Sequence, residues 1–205
     1  MINMARAVRT WFAGAKYHVT SRGIRRSSLF MEEGDFERYL SFIGETKSKY
    51  PFTLYSYCLM TNHTHQQIEI HETPLSLIMK HLNTKYAKYF NKKYSYSGHV
   101  FEKRYGAELL NSPEYDIDVS KYIHLNPVAA RMVTAPEDYP WSSYRVYAFN
   151  EKNPLVDSNP ILSYFPEPPS ANYQQYMYTR ISDKFIWKDG KLYMEEMVRL
   201  SCGPK

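Results

Sequence analysis

Two short stretches of this 205-residue chain hold residue types that can do chemistry together. The first is Asn62-His63-Thr64-His65. On a strand, side chains alternate between faces, so His63 and His65 project to one side, roughly 6–7 Å apart at Cα. Two imidazoles so placed can chelate one divalent ion. The same face continues through Gln67, Glu69 and His71, while Ile68 and Ile70 point the other way, toward a core. Glu69 and His71 lie too far along it to count as ligands. The second stretch is Lys121-Tyr122-Ile123-His124-Leu125-Asn126-Pro127. On a helix Tyr122 and Asn126 sit one turn apart on a shared face. Each stretch alone is ordinary: paired histidines recur by chance, and Tyr122 by itself reads as a packing residue. Together, a strand supplying two imidazoles and a helix supplying the Asn126 amide oxygen make a three-ligand site with open positions. Two nitrogens and a hard oxygen suit Mg²⁺ or Mn²⁺ better than a closed zinc site. Tyr122 would then stand beside a phosphate held there.

The elements that must position these residues are legible in the pattern. Residues 15–21 alternate as a strand, with Tyr17 and Val19 on one face and His18 and Thr20 on the other. A loop with Gly23 and the basic cluster Arg22, Arg25 and Arg26 follows. Residues 35–50 read as a helix with Gly34 or Asp35 at its cap, stopped by Pro51. Residues 52–60 are a second strand, Thr61-Asn62 a tight turn, and 63–71 a third strand. Pro74 opens a long helix to about Lys93, with Leu75, Ile78, Met79, Leu82, Tyr86 and Tyr89 on its buried stripe. Its other face, with Lys85, Lys88 and Lys92, is either a solvated surface or a ridge that tracks phosphates. A fourth strand is expected over 99–110. The Tyr122 helix should start at Pro113 and end at Asn126, because Pro127 does not continue it comfortably. Residues 150–170 hold five prolines and read as a linker or surface wrap, followed by a helical pattern around Tyr173, Tyr176 and Met177 and a hairpin at Lys188-Asp189-Gly190. The order β-α-β-β-α-β-α implies an α+β fold: a ferredoxin-like antiparallel sheet with helices packed on it, plus a C-terminal extension. Residues 1–147 are expected to form the domain that carries the chemistry, and 148–205 the linker and extension.

Composition narrows the class. Hydrophobic residues at 43% are enough for a real core. No apolar run reaches the roughly 18–20 residues of a membrane span, and Met1 to Trp11, with Arg6 and Arg9, has no secretory signal pattern. Cys58 and Cys202 match no zinc spacing and are read as reduced thiols, so a cytoplasmic protein is expected. The net charge of +5 is uneven: residues 1–105 carry 16 Lys or Arg against 8 Asp or Glu, and 106–205 carry 10 against 13. A basic half points to a polyanion partner, and the 20 tyrosines offer faces on which unpaired bases stack, although most belong in the core.

His63-Thr64-His65 followed by Tyr122-x-x-x-Asn126 resembles the HUH single-strand nucleases with one tyrosine. More narrowly, the chain resembles the REP-associated tyrosine transposases, relatives of small insertion-sequence transposases. The stretches Tyr17 to Gly23, Tyr57 to His65, Gly98 to Tyr105, Tyr122 to Val128 and Trp141 to Tyr144 carry the likeness, in the family's order, over roughly residues 10–147. The resemblance implies a ferredoxin-like core, His63, His65 and Asn126 as metal ligands for Mg²⁺ or Mn²⁺, and Tyr122 as the nucleophile. The implied reaction nicks and rejoins single-stranded or hairpin DNA through a 5′-phosphotyrosine, in a nucleoid-associated protein. Arg22, Arg25, Arg26, Lys85, Lys88, Lys92, His99 and Arg104 are candidates for gripping DNA; His99 and Arg104, on the glycine-led strand, are as readily a structural pair, and His124 reads as structural. The chain departs from the family in having Thr64 between the histidines, where a bulky hydrophobe is usual, and Gln66-Gln67 after them. Thr suits a strand, so the fold survives, while looser packing would weaken metal binding.

Three rivals stand beside this reading. One is a catalytically silent or domesticated protein that binds the same hairpins. A histidine-triad hydrolase needs a third alternating His where Gln67 stands, and a two-histidine phosphoesterase needs a repeated His-x-Ser/Thr. An RNA-binding sheet would use central aromatics such as Tyr55 and Tyr57. The sequence does not decide between monomer and homodimer, nor does it name the hairpin.

Overall fold

The computed structural model describes residues 11–179 and 185–194; Arg6, Arg9 and Cys202, named above, lie outside them. The first strand, β1 (Lys16–Arg22), is followed by a 3-10 turn (Ile24–Arg26) and helix α1 (Glu33–Lys49). Strands β2 (Phe52–Met60) and β3 (His63–Ile70) form a hairpin, and α2 (Leu75–Lys93) follows. Strand β4 (Gly106–Leu110) leads into α3 (Pro113–Ala129). Three short helices, α4 (Tyr144–Phe149), α5 (Asn159–Leu162) and α6 (Pro169–Met177), precede a hairpin of β5 (Phe185–Lys188) and β6 (Lys191–Met194).

The main sheet is antiparallel in the order β2-β3-β1-β4, which is the ferredoxin-like arrangement expected from the element order. One face carries Tyr17, Val19, Leu54, Tyr57, Leu59, Ile68 and Ile70, and α1 and α2 close over it with Phe36, Tyr39, Ile43, Ile78, Leu82 and Tyr86. Fully burying one such side chain contributes about 1.5–3 kcal/mol, so the period-2 and period-3.6 stripes read from the sequence form the main core. The opposite face carries the histidines and is covered in part by α3, whose Val119 and Ile123 pack on Cys58, Met60 and Leu110. Outside α3 lies a third apolar layer, in which Ile117 and Tyr55 meet Tyr144, Tyr147, Ile161, Phe165, Tyr173 and Tyr176. The proline-rich segment runs back along β2: Val156 bridges Leu54, and the Asp157 N–H donates to the Leu54 carbonyl at 2.9 Å.

The structure corrects four local expectations. The strand expected over 99–110 is only Gly106–Leu110. Gly98, at φ 115°, turns the chain, and residues 100–102 instead meet the end of β1 through Ile24 N–H to Val100 and Glu102 N–H to Arg22. The Tyr122 helix passes through Pro127 to Ala129: Pro127 gives up one donor, and the turn closes with Ala130 N–H on the Asn126 carbonyl at 2.9 Å. Helix α1 starts two residues early, with Glu32 at the cap; Asp35 is its third residue, and its carboxylate accepts from the Met31 and Glu32 N–H groups. Strand β3 ends at Ile70, leaving His71 to hydrogen-bond Thr53. Among the described residues no helix is long and apolar enough to cross a membrane.

Candidate functional site

Register places the site. His63 lies opposite Arg22 of β1 and Met60 of β2, and His65 lies opposite Thr20 and Cys58. His18, opposite Gln67, is therefore the diagonal neighbour of His65 on the same face. The His63 and His65 rings meet edge to face with centroids 4.9 Å apart. His18 Nε2 lies 2.9 Å from His65 Nδ1, and the two rings lie side by side and nearly coplanar, with centroids 5.2 Å apart. The Tyr122 ring stands edge-on to both, at 5.4 Å from His65 and 5.7 Å from His18. Asn126, one turn further along α3, lies beside His63. The strand and helix singled out in the sequence thus bring two imidazoles, an amide and a phenol to one place.

The donor set fits a divalent cation. His63 Nδ1–H donates to Asn62 Oδ1 at 2.6 Å, and the His65 Nδ1 is taken up by His18, which leaves Nε2 of each ring for a metal. Burial chiefly, with the Arg22 charge, holds His63 below the usual imidazole range, opposed by Asn126. Burial, then the charges of His18, His63 and Arg22, push His65 down to about 3. Both rings are therefore neutral at pH 7, the protonation state that a metal ligand requires. Among the described residues no group of three or more His, Cys, Asp or Glu is placed to hold a metal ion; the Asn126 amide is a further oxygen donor beside His63. The oxygen-bearing third donor and the open side toward solvent match Mg²⁺ or Mn²⁺ better than a closed tetrahedral site.

Tyr122 combines exposure with contact to the imidazole pair. Eleven of the twenty are buried, and Tyr122 is 53% exposed while lying against two imidazoles. Its helix is firmly held. Ser112 caps α3 by accepting from Tyr115 N–H at 3.2 Å, with Pro113 in the first turn and Glu114 and Asp116 at its positive end. On the buried side, Tyr173 of α6 places its hydroxyl 2.7 Å from His124 Nδ1 and 2.8 Å from Ser120 Oγ. His124 Nε2 reaches Ser143 Oγ at 2.8 Å, and Ser143 in turn holds the β2 backbone at Tyr57. Lys121 donates to the Tyr176 and Thr179 carbonyls, and the Tyr176 hydroxyl to Asp118. Helix α6 therefore grips the residues on either side of Tyr122. His124, expected to be structural, is fully buried in this network.

The eight candidate DNA-gripping residues fall into separate groups. Arg22, Arg25 and Arg26 are exposed at the histidine end of the sheet, where the Arg26 carbonyl accepts from Asn62 Nδ2 at 3.1 Å. The turn that displays them depends on Gly23: a Cβ there would meet the Ser27 carbonyl oxygen at 2.1 Å. Lys88, His99 and Arg104 line a cleft of about 1080 Å³ between α2 and residues 98–105, together with Lys80 and Lys103. His99 and Arg104 thus border α2 and not the imidazole face. Lys92 is exposed near the end of α2. Lys85 is ion-paired with Glu45 of α1 and lies over the Phe42 ring.

Behind the ligands, Thr64 and Gln66 are fully buried in the main core. Gln66 Nε2 donates to the Tyr39 hydroxyl at 3.2 Å, whereas Thr64 Oγ1 and Gln66 Oε1 have no hydrogen-bond partner. Thr64 Oγ1 lies beside the same Tyr39 hydroxyl without adequate geometry. The residue that sequence reasoning missed is His18. Its alternation with Tyr17 and Val19 put it on the right face, but only the β1–β3 register shows that this face is shared with His65.

Comparison with known proteins shows the class. The family described as "Transposase IS200 like" matches residues 12–126, more than half of the chain, and the protein belongs to it. Among solved structures, it resembles a REP-associated tyrosine transposase bound to a REP hairpin, at 17% identity and a TM-score of 0.62, over 75% of this chain and 94% of that one. A second match, a transposase-like protein of Deinococcus radiodurans, has 13% identity and a TM-score of 0.42 over 58% of this chain and 95% of that one. No curated protein matches the chain.

Proposed function

We propose that this protein nicks and rejoins single-stranded DNA at hairpin-flanked sites, with Tyr122 as the nucleophile. The observation that carries this reading is the meeting of an exposed Tyr122 with His63, His65 and Asn126 on one sheet face. Family membership supports it, and the solved relative named above was bound to a REP hairpin.

His63 Nε2, His65 Nε2 and the Asn126 amide oxygen would hold Mg²⁺ or Mn²⁺. When bound, the ion supplies electrophilic activation of the phosphodiester and charge stabilisation at its non-bridging oxygens. That help is needed because a phenol ordinarily ionises near pH 10 and is a weak nucleophile at neutral pH. The Tyr122 oxygen attacks phosphorus and loses its proton, the bond to the 3′ oxygen breaks, and that oxygen leaves protonated as a 3′-hydroxyl. The product is a 5′-phosphotyrosine. One phosphodiester has been exchanged for another, so the reverse attack by a 3′-hydroxyl reseals the strand without ATP. Arg22, Arg25 and Arg26 flank the site and serve as backbone contacts for the strand entering it. The cleft with Lys88, His99 and Arg104 takes the remainder of the DNA, and Lys92 extends the same basic surface. Lys85 contributes least, being neutralised by Glu45.

The test uses a labelled hairpin with single-stranded flanks and either Mg²⁺ or Mn²⁺. A covalent protein–DNA adduct resistant to denaturation is expected, and it disappears with a chelator. Tyr122→Phe should bind the hairpin as the parent does and form no adduct. An adduct formed by the Phe variant rejects Tyr122, and hairpin binding without any adduct in the parent leaves a silent DNA-binding protein.

A further inference from the structure

We propose that His18 is a positioning residue that fixes the tautomer and tilt of His65, so that the His65 Nε2 lone pair faces the cation position. The inference rests on the reading of His65 as a metal ligand and concerns a residue in a different strand from the two ligating histidines.

The geometry leaves few alternatives. His18 Nε2 and His65 Nδ1 are 2.9 Å apart, both rings are almost wholly buried, and their planes are inclined by only 20°. One proton lies between them. If His18 Nε2 carried it, His65 would be the Nε2–H tautomer or a cation, and its outward nitrogen would have no lone pair to offer. If His65 Nδ1 carries it, His65 Nε2 is free to ligate, and His18 must hold its own proton on Nδ1. Glu108 stands opposite His18 in the β1–β4 register. An outer imidazole hydrogen-bonded to a ligating imidazole is an arrangement by which outer groups orient metal-bound histidines. His63 has a different supporter, Asn62 Oδ1 at 2.6 Å. With Nε2 committed to His65, His18 is not itself free to ligate through that atom. Its ring edge also meets the Tyr122 ring, so the same side chain helps to seat the phenol.

The experiment compares the full chain with His18→Leu, which keeps bulk without an acceptor, and His18→Gln, whose Oε1 can stand where Nε2 stood. Mn²⁺ affinity is read by spin-resonance titration and the His65 tautomer by ¹⁵N chemical shifts without metal. The Leu variant is expected to weaken Mn²⁺ binding about 10–100-fold and to release His65 from the Nδ1–H tautomer, while Gln restores both. Parent-like Mn²⁺ binding by the Leu variant, failure of Gln to restore it, or an Nε2–H tautomer in the parent overturns the proposal. Should the parent itself bind no Mn²⁺, the nicking reading fails, and the tautomer comparison alone decides the role of His18. Thermal unfolding of all three proteins identifies any variant that has merely lost its fold; a His18→Asn protein then replaces it in the comparison.

Discussion

Removing one hydroxyl, in Tyr173→Phe, tests whether the tyrosine-bearing helix is held from outside the main sheet. That oxygen is the meeting point of two side chains with no exposed surface, Ser120 at 2.8 Å and His124 at 2.7 Å. Phe fills the same space, so no cavity forms and the cost is almost wholly polar. Each buried group left without a partner costs about 1–3 kcal/mol. Ser120 can rotate toward a helix carbonyl, whereas His124 Nδ1 has no second acceptor or donor in reach. A net loss of about 2–3 kcal/mol is expected from these terms, which in a chain of this size lowers Tm by roughly 4–12 °C. Denaturant melts of parent, Tyr173→Phe, Ser120→Ala and the double variant measure the coupling, expected to exceed about 0.5 kcal/mol. Adduct formation should fall as well, because α3 loses its anchor two residues from Tyr122, while hairpin affinity changes little. A Tm within about 1 °C of the parent, or strictly additive losses, would refute the idea that this hydroxyl ties α6 to α3.

Burial pushes His124 down to about 3, below its unfolded value near 6.5. The unfolded chain therefore takes up the proton first, so this histidine's contribution is intact above about pH 6.5 and is lost as pH falls toward 3, by about 1.4 kcal/mol per unit. His124→Gln should give a shallower acid limb in urea midpoints between pH 6.5 and 4.5; an unchanged slope contradicts the assignment. Gly23→Ala should cost about 1–3 kcal/mol through overpacking against the Ser27 carbonyl and lower hairpin affinity by displacing Arg25 and Arg26, measured by melting and by a binding titration. Thr64→Val removes a buried hydroxyl without a partner and is expected to stabilise the protein by about 1 kcal/mol, read as a higher urea midpoint; a loss would show that Thr64 does bond Tyr39.

Much of this arrangement was legible in the sequence because it is local. The alternation of His63 and His65 against Ile68 and Ile70, the Tyr122–Asn126 spacing, and the Lys188-Asp189-Gly190 turn, with Asp189 at φ 50° and Gly190 at φ 73°, follow from period and turn chemistry alone. What escaped is decided between elements. His18 joins the site only through the β1–β3 register. The stretch 99–105 has strand-like composition, yet Gly98 swings it toward α2, so only residues 106–110 pair fully. Pro127 reads as a helix stop, yet the helix runs on to Ala129 with the proline ring buried. The buried Thr64 and Gln66 break the apolar alternation, and nothing nearby in the sequence announces Tyr39 as their neighbour.

Strand β2 lies at the end of the sheet, and its outward backbone is not left bare. Trp141 and Ser143 take up polar groups at Leu59 and Tyr57, and Asp157 takes up Leu54. A border dressed in this way offers no template for a foreign strand. Two molecules therefore cannot fuse their sheets across β2 unless the 141–157 stretch first peels away, which leaves β4 as the sheet's other border.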